Sequence, residues 1–317
     1  AGQKGLIDII DATKSPMGAR LLKRWLIFPL QSLEQINQRL SAVAYFLDAT
    51  TTAISLHETI ESCGDLERLT SKLASRKIQP RELVQLEKSL TAVAAIKTSL
   101  TPSTNTYLKT LSENLVVCQK TIDAIQYYIM EQPPATIMKG GFIKNGVDPS
   151  LDELRNISSG GKEYLAQLQN KEALQTGINS LKIGYNNVYG YYLEVTHAHK
   201  DKVPADWIRK QTLTTAERYI TPELKVYEEK ILGAEDKILV LEQQLYQQLL
   251  DEVLQSLNAI QQNGQLLAII DCLICFAHNA IEFKYCKPVL KEDLMLDIKD
   301  GRHPVIEQNL PIDQPYI

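Results

Sequence analysis

The stretch "LKIGYNNVYGYYLEVTHAH", residues 181–199, alternates. Leu181, Ile183 and Tyr185 fall on one side, Lys182, Gly184 and Asn186 on the other. Past Asn187 the pattern resumes, with Tyr189, Tyr191, Leu193 and Val195 against Gly190, Tyr192, Glu194 and Thr196. A period of two, rich in Tyr and β-branched residues and broken by an Asn-Asn pair, predicts a β-hairpin. Two strands alone are marginal in water, so this hairpin needs company. "WIRKQTLTTAERYI", residues 207–220, supplies a second hairpin. Residues 180–221 therefore read as one small antiparallel β module.

The sequence on either side reads as helix. Asp148-Pro149, an N-cap with proline at N1, opens one long helix over 148–179, interrupted by Gly160-Gly161. Thr221-Pro222-Glu223 opens another over 222–262, with Gly233 inside. Ile231, Ile238, Leu241, Leu245, Leu249, Val253 and Leu257 make its narrow apolar stripe. Roughly 40 residues of helix are about 60 Å of rod. One narrow stripe predicts one partner along much of that length, a coiled-coil-like pairing with the first rod.

Residues 1–147 carry the first part of a helical core. "SPMGARLLKRWLIFPL" spaces Leu21, Leu22, Trp25 and Leu26 as a helix that stops at Pro29, and Ser32 with Gln35 has capping-box spacing. "QPPATIMKGGFIKNGVDP", residues 132–149, is a Pro/Gly-rich connector. Residues 263–295 return to the core as the buried helix "QLLAIIDCLICFAHNAIEF", and 296–317 read as strand and turn opening another domain. The fold class is mainly α: a helical core, long antiparallel helices, and a small antiparallel β module inserted at their tip.

The 317 residues contain 44% hydrophobic and 23% charged side chains, with net charge −4, so any nucleic-acid surface must be local. No apolar run approaches the roughly 20 residues that span a bilayer. "AGQKGLIDIID" shows no secretion signal, and five scattered cysteines read as reduced thiols, so a cytoplasmic location is expected. Within the β module, Lys182, Lys200, Lys202, Arg209, Lys210 and Arg218 outnumber Glu194, Asp201, Asp206 and Glu217, which suits sequence-independent phosphate contact.

Four blocks, "DATKSPMGARLLKRWLIFPL", "GDLERLTSKLASRKIQPREL", "LKIGYNNVYGYYLEVT" with "RKQTLTTAERYITPELKVYEEKIL", and "GRHPVIEQ", resemble the bacterial-type MutS family of DNA mismatch-repair proteins in order and spacing. The resemblance implies that the long helices are levers and that the β module is a clamp closing on duplex DNA. It implies a homodimer in the full-length protein, a MutL-type repair partner, no membrane, and a cytoplasmic, nucleoid-associated location. "GRHPVIEQ" would open an ATPase domain, so the chain reads as a piece of a longer one. No Phe is followed two residues on by Glu, as the family's mismatch wedge requires, and no GxxxxGK[ST] phosphate loop is present. ATP and Mg are expected in the full-length protein; no cofactor and no enzymatic activity are expected of this stretch. Tyr316 matches an aromatic position that packs on adenine.

The candidate DNA-binding residues are Asn186, Asn187, Lys200, Lys202, Lys210, Thr214, Thr215 and Arg218. Asn186 and Asn187 either donate to phosphate or merely permit the turn. Thr214 replaces a Lys that many relatives carry. The tyrosines at 185, 189, 191 and 192 read as core, because the bases of a gripped duplex are inaccessible. Cys272-x-x-Cys275 with His278 looks like a zinc fragment but sits in an apolar helix, and His197 with His199 lacks a third ligand. Arg20, Arg24 and Arg68 are expected to brace helices. Other readings are a MutS-like paralogue without mismatch recognition, and a coiled-coil interaction or chaperone module.

Overall fold

The computed structural model describes residues 4–310 apart from 187 and 189, and the backbone alone at 161, 162, 231 and 232. The chain divides into two compact units, Ala1–Glu131 with Leu249–Ile317, and Gln132–Gln248. Helices in the first stretch are α1 (Leu6–Ile10), α2 (Pro16–Ile27), α3 (Leu33–Asp48), α4 (Thr50–Ser62), α5 (Leu66–Ala74), α6 (Pro80–Leu100), α7 (Thr106–Asn114) and α8 (Gln119–Tyr128). Next come α9 (Pro149–Thr176), strands β1 (Lys182–Asn186), β2 (Gly190–Thr196), β3 (Ile208–Thr212) and β4 (Ala216–Ile220), then α10 (Pro222–Leu254), α11 (Leu257–Glu282) and α12 (Pro304–Asn309).

The first unit is built around α11, which packs against α2, α3, α4 and α5. At 26 residues α11 is long and apolar enough to cross a bilayer, more than the sequence reading allowed. Its polar residues show it to be a core helix. Asn263 exchanges hydrogen bonds with both backbone groups of Val116 at 2.9 Å, and Asn279 donates to the Ile10 carbonyl at 2.7 Å. Asp271, fully buried, accepts from Lys14 N (2.9 Å), Ser15 N (2.8 Å) and Ser15 Oγ (2.6 Å), and lies 3.0 Å from His57 Nε2. Ser15 in turn caps α2 by accepting from Gly18 N, and Pro16 follows at N1. A Cβ on Gly18 would lie 2.1 Å from Asp271 Oδ2. The "KSPMG" block is thus the mould for one buried carboxylate. Arg20 braces α2 to α5 through Asp65 (2.8 and 2.9 Å) and Glu67 (2.6 and 3.0 Å).

Two boundaries differ from the sequence reading. The descending helix expected over 222–262 ends at Leu254: Gln255 N and Ser256 N turn back on Glu252 and Val253, and Ser256 Oγ is taken by Thr121 at 2.8 Å. A tertiary bond, invisible in the local pattern, sets that break. The terminal stretch expected as strand and turn instead contains α12, because His303 accepts from Ile306 N and Pro304 occupies N1.

In the second unit Asp148 caps α9 by accepting from Leu151 N at 2.9 Å, and Thr221 caps α10 by accepting from Leu224 N at 3.1 Å. The four strands form one antiparallel sheet in the order β1-β2-β4-β3. Leu193, Val195 and Tyr219 on its inner face pack with Leu168 of α9, Leu224 of α10, and Ile178, Leu181 and Trp207. Each such side chain, fully buried, contributes about 1.5–3 kcal/mol. The helices supply what two hairpins alone lack.

Within this unit α9 and α10 run antiparallel, and their backbones stand apart over most of the shared length. Long side chains join them: Lys171 Nζ to Glu223 at 2.9 Å, Tyr164 stacked on Tyr227 at 4.0 Å, and Arg155 to Glu242 at 2.5 Å. Glu242, fully buried, also accepts from Gly141 N at 2.7 Å, while Arg155 donates to Ile143 O (2.8 Å) and Asn145 Oδ1 (2.7 Å).

Candidate nucleic-acid interface

Strand register decides which candidate residues can act together. Asn186 opposes Gly190 at one end of the sheet, while Thr196 opposes Ala216 at the other. β2 has seven residues, so the two ends are about 20 Å apart at ~3.3 Å per residue. The candidates therefore fall into two groups.

At the first end Asn186 Oδ1 accepts from Val188 N at 2.8 Å, an Asx turn that uses its acceptor to shape the hairpin. Gly190 has φ +77°, and a Cβ there would lie 1.7 Å from Glu228 Oε1, which accepts from Tyr191 N at 3.1 Å. Only glycine fits both demands. Asn187 and Tyr189 lie outside the described residues.

At the other end the loop 213–215 joins β3 to β4, and Thr214 and Thr215 are exposed at its tip. Residues 197–202 back this loop: His197 N donates to Thr215 O at 3.2 Å, and His197 Nε2 lies 3.0 Å from Leu213 O. Lys200, in that backing segment, is exposed. Lys210 is exposed on edge strand β3, at a register irregularity between Arg209 and Gln211. Lys182, at the start of β1, opposes Glu194 near the end of β2.

The remaining cations are occupied. Arg218 Nε lies 3.3 Å from Glu194 Oε2, its NH1 donates to Gln211 Oε1 at 2.9 Å, and its guanidinium lies 4.2 Å above the Tyr192 ring. The Arg218 side chain is 19% exposed, so the strand pattern that made it a candidate also pins it across the outer face. Lys202 donates to Gly177 O at 3.3 Å, closing the left-handed end of α9. Arg209 reaches Glu217 at 3.4 Å. Among the described residues, Lys182, Lys200 and Lys210 make no hydrogen bond or ion pair in the module.

The sequence reading missed Glu217. It faces inward with Val195, its register partner, and accepts from the Tyr219 hydroxyl. That bond, with Arg209, His197 and Lys200 nearby, holds its carboxyl below the usual range, while burial and the same bond push Tyr219 up to about 12. A carboxylate depressed in the folded state stabilises above its unfolded value, and that contribution is lost as pH falls through the folded value. Glu217→Gln is therefore expected to lower the thermal midpoint at neutral pH, with the gap to wild type closing on acidification. Thermal melts between pH 7 and pH 3 measure it; a gap independent of pH would contradict the assignment. The alternation of β4 was the available signal, since Glu217 shares a face with Tyr219.

Of the tyrosines, Tyr191 packs against the inner cluster, Tyr192 is buried beneath Arg218, and half-exposed Tyr185 meets Tyr191 edge-on at 5.0 Å. Cys272 and Cys275 are buried and donate to the carbonyls of Gly18 (3.4 Å) and Ile10 (3.2 Å), whereas His278 is exposed. Burial pushes the Cys275 thiol up to about 11, the behaviour of a buried structural thiol. Among the described residues no cluster of three His, Cys, Asp or Glu side chains could hold a metal. Tyr316 lies outside the described residues.

The family model for MutS domain III matches residues 1–277. The chain is similar to proteins named DNA mismatch repair protein MutS from Bacteroides thetaiotaomicron (52% identical over 316 residues), Bacteroides fragilis (51% over 316) and Cytophaga hutchinsonii (50% over 312). These alignments cover 100%, 100% and 98% of this chain. The chain spans 37%, 37% and 36% of the lengths of those relatives.

Proposed function

The chain belongs to the MutS family, and on that premise we propose that its four-stranded module is a clamp for the backbone of duplex DNA in mismatch repair. The observation that carries this reading is the uncommitted charge. Lys182, Lys200 and Lys210 lie in the half of the sheet that ends in Thr214 and Thr215, while two of the module's four acids, Glu194 and Glu217, are held by Arg218 and Arg209. Lysines beside hydroxyls suit phosphate contact without sequence preference. Lys200, Lys210, Thr214 and Thr215 are assigned to the grip; Arg218 and Lys202 support the module, and Asn186 shapes its far turn.

Each lysine that neutralises a phosphate steepens the fall of log K with log salt by about 0.9. Fluorescence titration of a labelled duplex against the 317-residue chain is expected to give the same affinity for unrelated sequences. Lys200→Ala/Lys210→Ala is expected to reduce the slope by about 2. A slope unchanged by the double substitution would remove both residues from the interface.

For the longer protein we propose a homodimer that works with a MutL-type partner, with ATP and Mg bound in a domain that residues 296–317 begin. The exposed apolar side chains of Leu294, Leu296 and Ile298 support that continuation, since such a row calls for a covering partner. In this reading α9 and α10 are levers that convey the state of the nucleotide site to the clamp.

A further inference from the structure

The glycines that interrupt the two long helices have no local reason to be glycine. Gly160 and Gly233 lie inside α9 and α10, neither has a positive φ, and a Cβ on either would meet nothing within 4 Å. Glycine is among the weakest helix formers, so two such positions weaken two helices without serving a turn or a close approach. Their placement is shared. Gly160 lies between Arg155 and Tyr164, and Gly233 lies between Glu242 and Tyr227, the residues that bond or stack with them across the pair. Each glycine sits just past halfway from the Arg155–Glu242 bridge to the Tyr164–Tyr227 stack, so the two weak points occupy one level of the antiparallel pair.

Three further observations fall at that level. Gly160 lies in the run Ser158-Ser159-Gly160-Gly161, and Ser159 Oγ donates to the Asn156 carbonyl at 3.3 Å, competing with the helical ladder. Between the two braces, no hydrogen bond or ion pair joins α9 to α10 among the described residues. A groove of about 670 Å³ runs along the seam, lined by Leu154, Ile157, Val226, Lys230, Gly233 and Ala234, where a packed helix pair would have interdigitated side chains.

We propose that the α9–α10 pair is a jointed lever: both helices bend together at Ser158–Gly161 and Gly233. The sheet module moves with the helix ends tied by Lys171–Glu223 and Tyr164–Tyr227, and the Arg155–Glu242 bridge holds the other side of the joint. This refines the lever reading above, which treats the helices as conveying motion, by placing where they yield. Its test uses neither DNA nor nucleotide, so the joint and the clamp can fail separately.

The test is a pair of nitroxide labels on the 317-residue chain, at Glu153→Cys and Ala198→Cys, in a Cys286→Ser background that removes the exposed thiol. Pulsed electron–electron resonance is expected to give a distance distribution at least twice as wide as the labels alone produce. Gly160→Ala/Gly233→Ala, whose methyl groups enter open space, is expected to narrow it to the width of the labels. Equal distributions in the two chains, whether both wide or both narrow, would overturn the proposal. Amide hydrogen exchange on the unsubstituted chain gives a second reading that requires no variant to fold. Exchange faster over 158–163 and 230–236 than in the flanking turns is expected, and uniform exchange along both helices would overturn the joint.

Discussion

Glu242→Ala is expected to destabilise the unit formed by Gln132–Gln248 by about 3–5 kcal/mol, the cost of stranding one member of a buried ion pair. Arg155 would keep Ile143 O, Asn145 Oδ1 and the half-exposed Asp152 at 3.8 Å but lose its buried counter-charge, and the Gly141 amide would lose its acceptor. Arg155→Ala should cost a similar amount from the other side, because Glu242 has no exposure to water through which to recover. Replacing both with leucine should cost less than either single change, since apolar substitutes often match a buried pair in stability. Differential scanning calorimetry measures the effect. A loss of 3 kcal/mol corresponds to a fall of about 12 °C in the midpoint of a unit near 100 residues. A shift of a few degrees would mean that water reaches this bridge.

The second large effect concerns the other unit. Asp271→Ala is expected to leave Ser15 N, Ser15 Oγ and Lys14 N without their acceptor in and around a buried site. Each unsatisfied buried group costs about 1–3 kcal/mol, so the loss should be about 3 kcal/mol or more, with the start of α2 loosened first. Gly18→Ala tests the same mould from the opposite side, by driving a methyl group into the carboxylate. Urea denaturation followed by the α2 residue Trp25 measures both. If either variant unfolds at the wild-type midpoint, Asp271 is not the organising contact described above.

How much of this was legible depends on the range over which each interaction acts. The hairpins were readable because alternation is local, and the starts of α9 and α10 were readable because Asp148-Pro149 and Thr221-Pro222 place cap and proline side by side. The bonds that carry the largest energies join distant residues: Asp271 reaches back to Ser15, and Glu242 to Arg155 and Gly141. In the sequence Asp271 is one acid within an apolar helix, and the "KSPMG" residues that receive it carry no sign of which acid they meet. The break after Leu254 was hidden for the same reason, since Thr121 supplies the partner for Ser256.

The candidate interface was legible as a module but not as a surface. Counting charges marked the β stretch as locally positive, which the structure retains. Counting could not tell a lysine open to solvent from an arginine already spent on Glu194, nor show that Asn186 and Thr214 sit at opposite ends of one sheet. Both distinctions come from register. In β4, Arg218 and Glu217 point to opposite faces, and their ion-pair partners lie on different strands, Glu194 on β2 and Arg209 on β3.

The proposal that the Thr214–Thr215 end of the sheet holds the duplex is tested most directly by photo-crosslinking from its two ends. A benzophenone attached through Thr214→Cys, and separately through Val188→Cys, each in the Cys286→Ser background, would be irradiated with a labelled duplex at low salt. Efficient crosslinking from position 214, with little from 188, is the result predicted here. Crosslinking from 188 and not from 214 would place the DNA on the Asx-turn end and contradict the assignment of the grip.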